Sequence, residues 1–154
     1  MTRFALILAL VLGLSAAPAH GADADLWATV NVCDTEDHPD ELGIRASMPG
    51  GSKRTRLLMR FRGQYRDLAD GRWRAVQDAD SGWKRIGRGR GVREYGWGFE
   101  VAGEGTRILR GVVYYRWVRR GRIVRRARRV TEGGHRSTRG ADPADFSAAT
   151  CRVD

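Results

Sequence analysis

The stretch Glu94-Tyr95-Gly96-Trp97-Gly98-Phe99-Glu100-Val101 alternates between large apolar residues and residues that are either charged or glycine. Successive side chains of a β-strand point to opposite faces, so this period of two predicts a strand with one buried face. Tyr95, Trp97, Phe99 and Val101 are expected to share that face. The stretch therefore indicates a β-protein in which each strand covers a core with half of its side chains.

The same rhythm recurs on both sides of this stretch. Ala28, Val30 and Val32 alternate with polar residues, and the long run 108–118 is rich in β-branched and aromatic residues. Turn residues separate the runs every 8 to 15 positions, and no sustained period of 3.6 residues appears outside the first two dozen positions. We predict an all-β fold, an antiparallel β-sandwich of about eight or nine strands.

The amino-terminal segment predicts export from the cytoplasm. Arg3 precedes a run of about 11 apolar residues, which is followed by small residues around Ala19 and Gly21. That run is much shorter than the roughly 20 residues that span a bilayer, so a cleaved signal peptide is favoured over an anchor. We assign residues 1–21 to the signal, with Ala19 and Ala24 as alternative cleavage sites, and residues 22–154 to one domain.

The two cysteines, Cys33 and Cys151, lie at opposite ends of this domain. Outside the cytosol thiols tend to pair, and two cysteines permit only one intramolecular connectivity. We therefore predict a disulfide that joins the first strand to the last; free or intermolecular thiols are the alternative. Closing a loop of 117 residues contributes about 4 to 5 kcal/mol in the chain-entropy description.

At this level the chain resembles immunoglobulin-like and fibronectin-type-III-like sandwiches. The resemblance rests on the strand rhythm over residues 26–153 and on the aromatic stretch Tyr114-Tyr115-Arg116-Trp117. It implies a fold and no activity, since this architecture carries many unrelated functions. The terminal cysteines differ from the mid-strand pair of antibody domains.

Charge is distributed unevenly along the chain. Residues 53–139 contain 25 basic and 8 acidic residues, whereas residues 22–50 contain seven carboxylates and one arginine. Such a surplus favours a partner that is an anionic polymer or surface. The candidate binding residues are the arginines of one predicted hairpin: Arg116, Arg119, Arg120, Arg122, Arg125, Arg126, Arg128 and Arg129. Arginine outnumbers lysine 26 to 2, so a purely compositional origin is the alternative, with the chain serving as a protein-interaction domain.

The segment Ile123–Val130 breaks the alternation, because either parity places arginines on the face that carries its aliphatic residues. A central strand does not bury such charges without partners, so we predict an edge strand or a bulged strand here. The arginines that flank Trp73, Trp83 and Trp117 are expected to face water while the tryptophans pack in the core.

Three further features are candidate sites. The acidic residues Asp34, Glu36, Asp37, Asp40 and Glu41 form a weak calcium candidate whose spacing matches no EF-hand. His135 with Ser137 or Asp142 is a weak hydrolytic candidate without a nucleophile elbow. The segment Gly87-Arg88-Gly89-Arg90-Gly91 lacks the lysine and hydroxyl of a P-loop. We therefore predict a non-enzymatic domain, with no catalytic residues and no cofactor.

Overall fold

The computed structural model describes residues 24–101, 103, 105–135 and 138–154, and in this part of the chain it contains nine strands and no helix. The predicted signal peptide, residues 1–21, lies outside the described residues. The strands are β1 (Trp27–Cys33), β2 (Glu41–Met48), β3 (Arg56–Arg66), β4 (Trp73–Asp80), β5 (Lys84–Arg88), β6 (Arg93–Glu100), β7 (Arg107–Arg119), β8 (Arg122–Val130) and β9 (Cys151–Val153). No helix able to cross a membrane occurs among these residues.

The strands form two antiparallel sheets. The smaller sheet has the order β1-β2-β6. In the larger sheet β3 and β7 are central, β4 and β5 pair with different parts of β3, and β8 and β9 pair with different parts of β7. Four strand positions therefore face three, and the predicted antiparallel sandwich of eight or nine strands is confirmed.

The core lies between the sheets and follows the alternation of the sequence. On β3, Leu57, Met59 and Phe61 are fully buried and alternate with partly exposed residues. On β2, Leu42 and Ile44 are fully buried and belong to the same cluster. Burial of a large apolar side chain contributes about 1.5–3 kcal/mol to the free energy of folding. Packing of these alternating residues is therefore the main interaction that holds the sheets together.

A glycine allows the two sheets to approach one another. A Cβ atom added to Gly111 of β7 would lie 2.6 Å from Ile44 Cδ1 and 2.7 Å from Thr131 Cγ2. The absence of a side chain on Gly111 thus creates the space that Ile44 of the opposite sheet occupies.

Two buried aromatic residues of β7 also carry polar groups that are satisfied. Tyr115 Oη donates a hydrogen bond to the carbonyl of Trp27 at 2.7 Å, and Trp117 Nε1 donates to the carbonyl of Pro49 at 2.8 Å. Burial raises the pKa of Tyr115 above its ordinary value, so the phenol remains a protonated donor. These bonds connect β7 to the start of β1 and to the connection between β2 and β3.

The predicted disulfide is present. Cys33 at the end of β1 is bonded to Cys151 at the start of β9, with Cα atoms 5.4 Å apart. Because β9 pairs with β7 through Leu109 and Cys151, the bond ties an edge of the smaller sheet to an edge of the larger one.

The connection between β8 and β9 covers the first strand. Val30 and Ala148 exchange two backbone hydrogen bonds, at 2.9 and 3.0 Å. Thr29 Oγ1 lies 2.7 Å from Ser147 Oγ, and the side-chain amide of Asn31 donates to the carbonyl of Gly140 at 2.8 Å. Thr29 and Asn31 are therefore buried with partners, and the exposed edge of β1 is closed.

The edge position predicted for Ile123–Val130 is confirmed. Strand β8 lies at the edge of the larger sheet, and its register with β7 shifts between the pairs Trp117–Arg125 and Val118–Ile123. Val124 is the additional residue of this bulge, and half of its side chain is exposed.

Candidate functional site

The outer face of the larger sheet carries a regular array of arginines. Side chains on this face alternate with the buried residues of β3 and β7, and cross-strand pairing aligns them in rows; in one row, Tyr114 lies between Arg60 and Arg128. We call this surface the arginine face and use the name for seven of the arginines on it: Arg56, Arg60, Arg62, Arg110, Arg116, Arg126 and Arg128.

Aromatic rings lie between these arginines. The guanidinium of Arg110 sits over the ring of Trp73 at 4.0 Å, and that of Arg116 sits over the ring of Trp83 at 3.9 Å. Stacking on a ring restricts the guanidinium plane and leaves its N–H edges available to an anion.

A single carboxylate pairs with the arginine face among the described residues. Asp80 accepts a hydrogen bond from Arg60 Nε at 2.7 Å and lies 3.2 Å from Arg62 Nε. The hydrogen bond from Arg60 is the main cause that lowers the pKa of Asp80 below its ordinary value, and the same contact raises the pKa of Arg60. Asp80 therefore remains charged and neutralises one part of the face.

The remaining positive charges of the face lack this compensation. In the described part of the chain, Arg56, Arg126 and Arg128 have no carboxylate within ion-pair distance. Burial, and secondarily the charge of Arg128, lowers the pKa of Arg110. Unpaired cations held close together in this way favour the binding of an anion that relieves their repulsion.

A second basic surface lies at one end of the sandwich, where three connections meet. The amide of Gly51 donates to the carbonyl of Gly89 at 2.9 Å, and the amide of Gly89 donates to the carbonyl of Thr55 at 2.9 Å. Beside them lies the turn between β7 and β8, and together these segments form an open depression of about 860 Å³. Its lining consists of Ser52, Lys53, Arg54, Arg90, Arg119, Arg120, Arg122 and Val124, with six cations and no carboxylate. We call this surface the basic end.

The glycine-rich segment supports the basic end through its backbone. Gly89 and Gly91 have φ angles of +94° and +84°, which residues with a Cβ rarely adopt. A Cβ on Gly50 would lie 2.5 Å from the carbonyl oxygen of Gly91. The glycines thus permit close contact between two connections, and Arg90 is the residue of this segment that lines the depression.

The eight arginines named as candidate binding residues are divided among three locations. Arg116, Arg126 and Arg128 belong to the arginine face, and Arg119, Arg120 and Arg122 line the basic end. The alternation of β8 turns the other two, Arg125 and Arg129, to the opposite side of the sheet. Arg125 lies over the ring of Trp117 at 4.4 Å, and Arg129 Nε donates to the carbonyl of Leu26 at 3.2 Å.

Sequence reasoning also missed part of both surfaces. Arg56, Arg60 and Arg62 lie on one face of β3, but only the pairing of β3 with β7 places them beside Arg116. Lys53, Arg54 and Arg90 come from separate connections, and no local signal shows that these connections meet.

The prediction that the tryptophans pack in the core holds for Trp117, which is buried. It is wrong for Trp73 and Trp83. The register places Trp73 opposite Arg66 on the outer face, and Trp83 lies outside the core beneath Arg116. Both rings are partly exposed because arginine side chains, rather than the opposite sheet, cover them.

The acidic residues proposed for calcium do not converge on one point. Asp34 Oδ1 accepts a hydrogen bond from the amide of Asp40 at 2.9 Å, and Glu41 Oε2 lies 3.0 Å from His38 Nδ1. No arrangement of three or more His, Cys, Asp or Glu side chains suited to a metal occurs in the described chain, which includes Glu36 and Asp37. Asp34 and Glu41 make these contacts within the turn between β1 and β2, at the end of the sandwich opposite the basic end.

The hydrolytic candidate residues have separate partners. His135 Nε2 lies 3.1 Å from Glu132 Oε1, and its ring stacks on Trp27 with centroids 4.5 Å apart. Asp142 accepts a hydrogen bond from the hydroxyl of Thr35. Ser137 lies outside the described residues. The two described groups, His135 and Asp142, therefore belong to different hydrogen-bond networks.

Two surfaces thus each carry six or seven cations with at most one carboxylate paired to them in the described chain, and the arginine face also exposes aromatic rings. Comparisons of the chain with protein-family models, with curated proteins and with solved structures give no match. What the chain binds is therefore inferred from its own residues.

Proposed function

We propose that this chain is an extracytoplasmic, non-enzymatic module that binds a polyanionic polymer across the arginine face. The observation that carries the proposal is the combination of seven arginines, the rings of Trp73 and Trp83, and one compensating carboxylate on a single side of the larger sheet. The disulfide and the signal-like amino terminus support an exported location.

The geometry suits an extended polymer rather than a small ligand. Side chains on one face of a strand repeat about every 7 Å, and neighbouring strands lie about 4.8 Å apart. Guanidinium groups on three neighbouring strands therefore form a grid that meets repeated anionic groups along a chain. Arginine binds phosphate, sulfate and carboxylate through paired N–H groups, which adds orientation to simple charge attraction.

The stacked arginines are prepared for binding. Ordering a flexible side chain costs about 0.5–1.5 kcal/mol on association. Arg110 and Arg116 already lie against Trp73 and Trp83, so part of this loss of freedom has occurred before the polymer arrives.

The clustering of unpaired cations supports this function. Outside the two basic surfaces Arg45 and Arg74 pair with carboxylates, whereas Arg93 and Arg139 form no ion pair in the described chain. On the arginine face only the Asp80 corner is paired. The other cations of this face are neighbours across paired strands, so their mutual repulsion favours an anionic partner.

Retention on immobilised heparin tests the proposal with two variants of equal charge. The first is R56Q/R126Q/R128Q, which removes unpaired cations of the arginine face. The control is R72Q/R139Q/R152Q, which removes three exposed arginines elsewhere. We expect the face variant to elute at much lower salt than the control, because the release of counterions scales with the number of anionic groups that the protein neutralises.

Two outcomes would contradict the proposal. Elution of both variants at the same salt concentration would show that retention depends on net charge alone, and would favour the alternative of a protein-interaction domain with incidental charge. If the parent is retained no more strongly than a lysozyme of similar net charge, retention again depends on net charge alone. Thermal unfolding of each variant checks that the fold is retained.

A further inference from the structure

The basic end differs from the arginine face because it combines cations with exposed aliphatic side chains. Three large apolar residues are exposed in the described chain: Val92 (42%), Val124 (50%) and Leu68 (75%). Val124 lines the depression, and Val92 is the last residue of the connection that contributes Arg90. The bulge in β8 places Val124 in solvent, where a regular strand would continue its alternation.

We infer that the basic end docks onto the surface of an anionic lipid bilayer. The six cations of the depression contact the phosphate groups, and Val92 and Val124 reach the boundary between head groups and acyl chains. An interfacial site requires this combination of basic and apolar side chains. A water-dissolved polyanion makes use of the cations and leaves the two valines without a partner.

The distribution of charge along the molecule orients this docking. The turn between β1 and β2 contributes five carboxylates in eight residues, and Asp67 and Asp70 lie in the turn that follows β3. Both turns are at the end opposite the basic end, since adjacent strands of the sandwich are antiparallel. β7 has 13 residues and extends about 40 Å, which is several Debye lengths at physiological salt. The acidic end is therefore too far from the bilayer to oppose binding.

In this arrangement the strands run away from the membrane surface, with the basic end in contact with it, and the arginine face remains accessible. The inference uses residues that the proposed function does not require. Each can therefore fail without the other.

Co-sedimentation with lipid vesicles tests the inference. We expect the protein to bind phosphatidylcholine vesicles that contain phosphatidylglycerol, and to remain in solution with phosphatidylcholine alone. The variant R119Q/R120N/R122Q removes three cations of the basic end. Asparagine is chosen at position 120 because Arg120 has a φ of +50°, a conformation that asparagine tolerates. Removal of each cation should weaken binding about fivefold.

Two controls separate docking from general attraction. The variant R72Q/R139Q/R152Q, with an equal change in net charge away from the basic end, should bind these vesicles within about twofold of the parent if the basic end is the contact. Equal weakening in the two arginine variants would overturn the inference, because the charge would then act without a defined surface.

Substitution of the two valines tests the inference independently of the arginine variants. V92S/V124S should weaken vesicle binding severalfold. Salt should reverse the residual binding of this variant more easily than that of the parent, because the contribution of buried apolar area is not screened by salt. L68S changes the most exposed apolar residue, which lies at the acidic end, and should bind as the parent does. Parent-like binding by V92S/V124S would exclude contact with the acyl boundary and would overturn the docked arrangement.

Discussion

The guanidinium of Arg116 lies over the indole ring of Trp83, with Cζ 3.9 Å from the ring centroid. Arg116 belongs to β7, whereas Trp83 immediately precedes β5. Strand β3 lies between them, and its Leu58 pairs with Arg116 on one side and with Arg85 on the other. The stack therefore crosses β3 and fixes a cation on the arginine face rather than contributing to the core.

Replacement of Trp83 by leucine should weaken heparin binding about two- to fivefold, because an exposed cation–π contact contributes about 0.5–1 kcal/mol. Stability should change little, since the ring lies outside the core cluster. Titration calorimetry with heparin oligosaccharides and thermal unfolding measure the two effects. Trp27→Leu is the control: Trp27 stacks on His135 away from the arginine face, so its loss should not alter heparin binding.

Replacement of Asp80 by asparagine should have the opposite effect on binding. Asp80 pairs with both Arg60 and Arg62, so removal of its charge makes two guanidinium groups available to a polymer. Asparagine keeps an oxygen that can accept from the amide of Gly82, as Asp80 Oδ1 does at 3.0 Å. Severalfold tighter heparin binding is expected; unchanged or weaker binding would place the polymer away from this corner of the face.

The same carboxylate makes stability depend on acid pH. In the folded state the pKa of Asp80 lies below the ordinary value of 3.8, mainly because of the hydrogen bond from Arg60. Its ionised form therefore stabilises the fold fully above the unfolded pKa, and this contribution is lost as the pH falls through the lower folded pKa.

Urea unfolding of the parent at neutral pH and at about pH 3 should show this loss, and D80N should show a smaller decrease. Asp37→Asn is the matched control, because Asp37 is exposed and forms no ion pair among the described residues. An equal acid response of the parent and D80N would remove Asp80 as its source.

Gly111 should tolerate no larger residue. A Cβ atom would lie 2.6 Å from Ile44 Cδ1, and overpacking of this kind costs about 1–3 kcal/mol. Gly111→Ala should lower the free energy of unfolding by that amount. Gly96→Ala provides the comparison within another strand, since its nearest contact is 3.4 Å from Arg45 Cδ; equal effects of the two substitutions would be inconsistent with the packing described.

Loss of the disulfide should be the largest single change in stability. Cys33→Ser with Cys151→Ser opens a loop with a sequence separation of 118 residues, and removal of such a bond costs about 2–5 kcal/mol. Chemical unfolding should show the parent becoming like the double variant when reductant is added. If neither reductant nor the double substitution lowers the free energy of unfolding, the bond does not restrict the unfolded chain.

Local patterns were sufficient for the strands and for some of their properties. The alternation at Tyr95–Val101 and at Ala28–Val32 predicted strands that the structure contains. The arginines of Ile123–Val130 that break the alternation predicted an edge strand or a bulged strand. Each of these inferences depends only on residues that are close in sequence. The resemblance to immunoglobulin-like sandwiches stays a prediction.

The sites depend on distant residues, which is why they were only partly predicted. Trp83 and Arg116 are 33 positions apart, and only the pairing of both segments with β3 brings them into contact. Likewise, nothing near Arg125 indicates that it faces Trp117 while Arg126 faces the solvent side of the sheet. One unpredicted bulge or register shift reverses the face of every following side chain.

By itself, the sequence determined a disulfide-closed, all-β domain with a strong positive charge, because hydrophobic period, cysteine number and charge are properties of composition and local order. The tertiary structure decided which arginines are neighbours, which tryptophans lie outside the core, and where exposed aliphatic side chains lie beside cations. Those outcomes follow from strand pairing and from the meeting of separate connections, which are set by packing over the whole domain.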